Sequence, residues 1–249
     1  IKANPKYGSE KKGQPTTFYA TLASEPIRLN CELRHVDVVL SPDPNVFRHS
    51  NPLAGLARGG TFIIQSAFEP QAFWNSLPRH VQKEIREKGI RLWSVNAFHI
   101  ASEVATNPEL RYRMQGAAFM GAFFRATPLM KTYGLDEARL FEGITAQTRK
   151  KFGKLGDKVV AENMQVIRRG YDDVRYLDPA AFADEGPEGG RVPHIPPALD
   201  HEMAEGIAHG GRFWEQVCHL YKTGDDGIAD PFAALSAMPA VTSSTRDMT

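Results

Sequence analysis

The residues with most scope for chemistry stand near the start of the chain. Lys6-Tyr7-Gly8-Ser9-Glu10-Lys11-Lys12-Gly13-Gln14-Pro15 sets two lysines and a serine hydroxyl between two glycines. A phosphate or pyrophosphate needs positive charge together with backbone N–H donors, and glycine backbone lets those donors approach closely. An ordinary exposed hairpin carries the same composition. The stretch has neither the lysine context of a Walker loop nor the spacing of a dinucleotide fingerprint. Both readings stand for Gly8, Ser9, Lys11, Lys12 and Gly13.

Other candidates are weaker. His99 follows an apolar run, and open α/β sheets hold ligands near strand carboxyl ends, yet a histidine with a structural partner fits the same position. His35, His49 and His80 lack ligand spacing, and His194, His201 and His209 have no Cys or carboxylate cluster beside them, so no metal is assigned. Cys31 and Cys218 form no Cys-x-x-Cys pattern and read as reduced thiols in packing roles. Asp37 sits in an apolar run, as a hydroxyl ligand or a backbone cap. Arg48, Arg58 and Arg125 read as surface pairing partners rather than anion ligands. Trp74, Trp93 and Trp214 are not interleaved with basic residues as a single-strand nucleic-acid platform would require, and read as core or interface anchors. The sequence has no Gly-x-Ser-x-Gly elbow and no His-Glu-x-x-His, so a self-sufficient hydrolase or metalloenzyme is not indicated.

The elements that must position these residues alternate in type. Thr16 to Leu22 reads as a strand, edge or antiparallel, closed by Ser24-Glu25-Pro26. Val36-Asp37-Val38-Val39-Leu40 and Thr61-Phe62-Ile63-Ile64-Gln65 read as buried central strands, and Ile90 to Val95 as the next. Between the last two, Arg79 to Lys88 is a charged surface helix stopped by Gly89. Met114 to Phe124 is apolar enough for a nearly fully buried helix, and its small residues allow close packing. Asp136–Phe152 and Lys158–Tyr171 give two more helices. The order predicts a three-layer α/β/α, Rossmann-like domain with a mostly parallel sheet over residues 1–177. Residues 178–249 read as a Pro- and Gly-rich arm, a helix between Glu202 and Thr223, and a tail from Asp230 that needs a neighbour to pack on.

Thirty Lys and Arg against twenty-nine Asp and Glu give a net charge of +1, so no global field draws the chain to nucleic acid or an anionic membrane. No apolar run reaches the roughly 18 residues of a bilayer span. The start at Ile1 has no apolar signal region and no Met, which reads as a cytoplasmic fragment.

Tyr7 to Gly13, then Ala23-Ser24-Glu25-Pro26-Ile27-Arg28, Val36 to Leu40 and Gly59-Gly60-Thr61-Phe62-Ile63-Ile64 follow one another in an order that resembles the γ domain of pyruvate and other 2-oxoacid:ferredoxin oxidoreductases. Asn96-Ala97 with Ile100-Ala101, Met114 to Ala122, and Val160-Ala161-Glu162-Asn163-Met164 with Gly170-Tyr171 continue the resemblance, which covers about residues 3 to 175. It implies oxidative decarboxylation of pyruvate or a related 2-oxoacid by the complete enzyme. That enzyme is expected to use thiamine diphosphate, Mg, [4Fe-4S] clusters and coenzyme A, with no complete active site in this chain. Implied partners are the thiamine-diphosphate-binding α and β domains, a ferredoxin-like domain, and ferredoxin or flavodoxin. The resemblance also implies that Gly8 through Gly13 approach coenzyme A phosphates, with Lys11 and Lys12 as the charged contacts. Related γ chains begin with a strand and Gly-rich turn upstream of this loop, so the first β–α unit reads as missing. Pro231 to Ser243 is similar to the connector that leads towards a ferredoxin-like domain. The alternatives are an independent nucleotide- or coenzyme-A-binding α/β protein and a purely structural interaction domain.

Overall fold

The computed structural model describes residues 1–6, 17–28, 33, 35–48, 50–183 and 185–187. The apolar runs form a four-stranded sheet in the order β3-β4-β5-β6, with β3 at Val36–Ser41, β4 at Leu56–Gln65, β5 at Arg91–Val95 and β6 at Arg175–Leu177. β3, β4 and β5 run parallel and β6 is antiparallel to β5. β4 is twice the expected length. Its pairing jumps from Val36↔Leu56 to Val38↔Thr61, so Ala57 to Gly60 bulge out of register before Phe62-Ile63-Ile64 settles in the centre.

Side chains alternate across a strand, so the apolar run of β4 feeds two cores. Phe62 and Ile64, with Leu92 and Leu177, pack against Phe73 and Trp74 of α1 (Pro70–Ser76) and Val81 and Ile85 of α2 (Arg79–Lys88). Ile63 and Val95 face the other way, onto α3 (Ala97–Val104), α4 (Arg111–Ala126) and α7 (Asp157–Asp173). The short α5 (Leu129–Thr132) and the longer α6 (Glu137–Phe152) complete that layer, with Leu140 and Ile144 packed on Ile167 and Tyr171. Asp136 caps α6 by accepting from the Arg139 N–H at 2.7 Å. The three-layer α/β/α architecture expected from the sequence is the one found.

Helices α4 and α7 cross with backbones in contact. A Cβ on Gly121 would collide with the Ile167 carbonyl and lie 2.6 Å from the Tyr171 nitrogen, while a Cβ on Gly170 would strike the Ala118 backbone. The small residues of Met114 to Phe124 predict close packing, and it occurs at Gly121, against the backbone of α7 around Gly170.

Past Leu177 the chain runs along α1 and α2. The Trp74 indole N–H donates to the Ala183 carbonyl at 2.8 Å, and Phe182 stacks on the same indole with centroids 5.7 Å apart. The Arg86 guanidinium donates to the carbonyls of Pro179 and Phe182. Gln82, fully buried, donates from Nε2 to the Trp74 carbonyl at 2.7 Å and accepts the Gly186 N–H. Arg79 holds Gly186 and Pro187 through their carbonyls. The predicted helix between Glu202 and Thr223 and the tail from Asp230 lie outside the described residues.

Candidate functional site

The basic loop is bounded by a hairpin with only one strand expected from the sequence. β1 (Lys2–Lys6) pairs antiparallel with β2 (Thr17–Thr21) in unbroken register from Lys2↔Thr21 to Lys6↔Thr17. Directly opposed Cα atoms in such a ladder lie about 4.5–5.5 Å apart. Lys6 and Thr17 are therefore neighbours across the ladder, and Gly8, Ser9, Lys11, Lys12 and Gly13 lie outside the described residues. The pairing brings Lys6 and Thr17 together as the base of the loop.

A second location is the carboxyl edge of the parallel strands, where open α/β sheets hold ligands. Its buried polar groups are already committed to loop structure. Ser41 Oγ donates to the Asp43 carbonyl at 3.1 Å, and Ser66 Oγ accepts from the Phe68 N–H at 3.1 Å. Gln65 donates from Nε2 to Asn96 Oδ1 at 3.1 Å and accepts the Phe98 N–H at 3.2 Å. Asn96 Oδ1 also accepts the His99 N–H at 3.2 Å, capping α3. These bonds weld the ends of β4 and β5 together and turn aromatic rings outward: Phe68 is 61% exposed and Tyr112 73%, with Phe98 5.5 Å from Tyr112 between centroids. In the sequence Gln65 and Asn96 read only as parts of a strand and of the resemblance, not as site candidates. Their signal was a polar residue closing each apolar run, Gln65 after Ile64 and Asn96 after Val95.

The remaining candidates are placed as follows. His99 is exposed and its Nε2 lies 3.2 Å from Glu103, so it has a structural partner. The hydrogen bond from Arg169 is the main reason the Glu103 carboxyl titrates below its ordinary range; burial opposes it weakly, and His99 adds a smaller electrostatic pull. Arg58 donates to the Glu87 carbonyl at 2.7 Å, and Arg125 lies 5.5 Å from the Tyr171 ring centroid. Trp74 is fully buried, and Trp93 is partly buried beside Tyr176. Asp37 and His35 are exposed. Cys31, Cys218, His49, His194, His201, His209, Trp214 and the Arg48 side chain lie outside the description. Among the described residues no three His, Cys, Asp or Glu side chains cluster as metal ligands, and no helix is long and apolar enough to cross a membrane.

The described residues form a three-layer α/β unit in which α4 and α7 pack with their backbones in contact. Residues 1–173 match the family "Pyruvate ferredoxin/flavodoxin oxidoreductase", and the chain belongs to that family. It is 25% identical over 181 residues to the pyruvate:ferredoxin oxidoreductase of Moorella thermoacetica, covering 72% of this chain and 14% of that one. It is 27% identical over 179 residues to the pyruvate/ketoisovalerate oxidoreductases common subunit gamma of Pyrococcus furiosus, covering 72% and 83%. The chain thus spans a small part of the long relatives and most of the γ subunits, in keeping with the γ-type resemblance read from the sequence. The crystal structure of the pyruvate oxidoreductase subunit PORC from Thermotoga maritima is similar at a TM-score of 0.49 and 20% identity, over 71% of this chain and 81% of that one.

Proposed function

We propose that this chain is the γ domain of a thiamine-diphosphate-dependent 2-oxoacid:ferredoxin oxidoreductase, covering the coenzyme A site and helping to assemble the complex. The complete enzyme oxidatively decarboxylates pyruvate or a related 2-oxoacid to acyl-CoA and CO2. The observation that supports this role most directly is the β1–β2 ladder, whose paired end at Lys6↔Thr17 gives residues 7–16 a fixed base. On that base Lys11 and Lys12 supply charge for coenzyme A phosphates, while Gly8, Ser9 and Gly13 supply donors and freedom for close approach.

The other groups belong to partner domains. A [4Fe-4S] cluster takes four cysteine thiolates, and the sequence holds two cysteines, so this chain does not fit that cluster by itself. Thiamine diphosphate, when bound in the complete enzyme, supplies the carbanion stabilisation that decarboxylation requires. The residues of this chain bind and orient coenzyme A and pack against the partner domains. Steady-state kinetics of the complete enzyme test the role: Lys11→Ala with Lys12→Ala raises the apparent KM for coenzyme A at least about tenfold, from charge-assisted bonds of roughly 1.5–3 kcal/mol each. An unchanged KM with weakened assembly would instead leave the loop as a subunit clamp.

A further inference from the structure

The segment after β6 lies on the α1–α2 face in the manner of a bound peptide. Its described residues form one 3-10 turn, Pro179–Ala181, and no further helix or strand. Asp178, Ala180, Ala181, Ala183, Glu185 and Pro187 stay exposed, whereas Phe182 and Gly186 enter the face. The Phe182 ring stacks on the Trp74 indole at an interplanar angle of 26°. Gly186 is buried so closely that a Cβ on it would fall 2.0 Å from the Leu77 carbonyl oxygen, a backbone atom that cannot rotate aside. The rest of the segment is held by its carbonyls, whatever its side chains. Trp74 Nε1 donates to Ala183 at 2.8 Å, and Arg86 Nε and Arg79 Nε donate to Pro179 and Gly186 at 3.0 Å each. Backbone contacts that confer grip, with side-chain pockets that confer selectivity, are how extended peptides are recognised.

The groups that hold the segment are themselves set in place by α1 and α2. Gln82 is fully buried, and its Nε2 donates to the Trp74 carbonyl at 2.7 Å, which turns Oε1 towards the Gly186 N–H, 3.4 Å away. The Arg86 guanidinium lies 5.1 Å from the Trp74 ring centroid and is attracted to the face of that ring. Trp74 packs in turn in the core with Phe73, Val81 and Ile85. None of these restraints passes through residues 178–187. A face whose donors are ordered in this way loses little conformational freedom when a ligand segment arrives.

The geometry points to a peptide-docking groove on the α1–α2 face, selective for an extended segment with an aromatic residue four positions before a glycine, and filled in this chain by its own residues 178–187. The segment is a latch rather than a layer of the core. It follows β6 directly, so its effective concentration at the groove is of the order of millimolar, as for other short tethers, and it closes the groove to ligands in trans while it is docked. When it lifts, the Trp74 indole and the Gln82 amide are uncovered together, and the same groove takes the equivalent segment from a second copy of this chain.

The test uses the full chain carrying Phe182→Ala with Gly186→Val, which undocks the latch, and a fluorescein-labelled peptide of residues 178–187 followed by anisotropy. The undocked variant is expected to bind this peptide at least about tenfold more tightly than wild type, in which the tethered segment competes. A peptide bearing the same two changes should bind the undocked variant at least about tenfold more weakly than the native peptide, because it lacks the ring and collides at the glycine position. Absence of saturable binding to a variant that keeps the wild-type far-UV circular dichroism would overturn the groove. Equal affinity for the two peptides would overturn its selectivity. Should the double variant fail to fold, hydrogen exchange on the wild-type chain decides the matter. The Gly186 N–H and the Trp74 indole N–H are expected to exchange by local opening, at least about a hundredfold faster than the Phe62 and Ile63 amides of β4. Exchange at the β4 rate, through global unfolding alone, would make residues 178–187 an integral part of the core and defeat the proposal.

Discussion

Replacing Gly121 by alanine tests the packing that holds the larger helical layer together. In an exposed helix the change stabilises by roughly 1 kcal/mol, because glycine is about that much worse than alanine in a helix interior. At Gly121 the added carbon would sit 2.6 Å from the Tyr171 nitrogen and closer still to the Ile167 carbonyl, both backbone atoms that cannot rotate aside. Ordinary contact begins near 3.4 Å, so α4 and α7 must part by about 1 Å, and overpacking of this kind costs about 1–3 kcal/mol or more. Separation also loosens Ala118 and Ala122 from Val166 in the core beneath. The net expectation is destabilisation of about 2 kcal/mol, read by urea unfolding followed by circular dichroism, with a fall in Tm of about 4–8 °C. Gly143→Ala on α6 is the internal control, since nothing lies within 4 Å of its added Cβ, and it should stabilise. If Gly121→Ala stabilised as Gly143→Ala does, the close crossing would be refuted.

Other perturbations follow from particular contacts. Gln82→Leu removes the buried acceptor of the Gly186 N–H and one of the two donors to the Trp74 carbonyl, which keeps the Leu77 N–H, so urea unfolding should show a loss of about 1–3 kcal/mol and limited proteolysis faster cutting after Leu177. Gly156→Ala forces a side chain into a glycine-only conformation and should cost about 1–3 kcal/mol, seen as a lower Tm with the helix content of the folded state unchanged. Glu103 is depressed by Arg169, so the folded carboxylate holds its proton more weakly than the unfolded one. Its stabilising contribution is full above the ordinary carboxylate pKa and is lost as pH falls through the lowered folded value; Glu103→Gln should therefore flatten the acid limb of Tm against pH. An unchanged acid limb would show that the Arg169 contact is not held in solution.

The parts of the fold legible in the sequence are those whose physics is local. Thr61 to Gln65, an apolar run that only burial on both faces explains, is the buried centre of β4, and Ile90 to Val95 holds β5 beside it. Val36 to Leu40 is a parallel strand as expected, but it lies at the edge of the sheet among the described residues, with Asp37 and Leu40 exposed, rather than at its centre. Helices α4, α6 and α7 match their predicted spans because periodicity and the Asp136 cap are written into their own residues. What escaped was set by distant partners. β1 holds Pro5 and a lysine at each end, and it is a strand because β2 pairs with it. β6 is three residues long, Arg-Tyr-Leu, too short for a period to register. The run along α1 and α2 after Leu177 is held largely through backbone carbonyls at Pro179, Phe182, Ala183 and Gly186, which side-chain patterns do not reveal. For the candidate site, the composition of the basic loop was legible from Gly8 to Gly13, whereas the ladder that closes its base was not.

We propose that Lys11 and Lys12 of this γ-type domain hold coenzyme A phosphates in the assembled enzyme. Calorimetric titration of coenzyme A into the intact enzyme, wild type against Lys11→Ala with Lys12→Ala, tests it most directly. The expected result is a Kd at least about tenfold weaker in the double variant, with weak or absent binding to the isolated chain. Equal Kd values for the two intact enzymes would contradict the claim and leave the loop an architectural role.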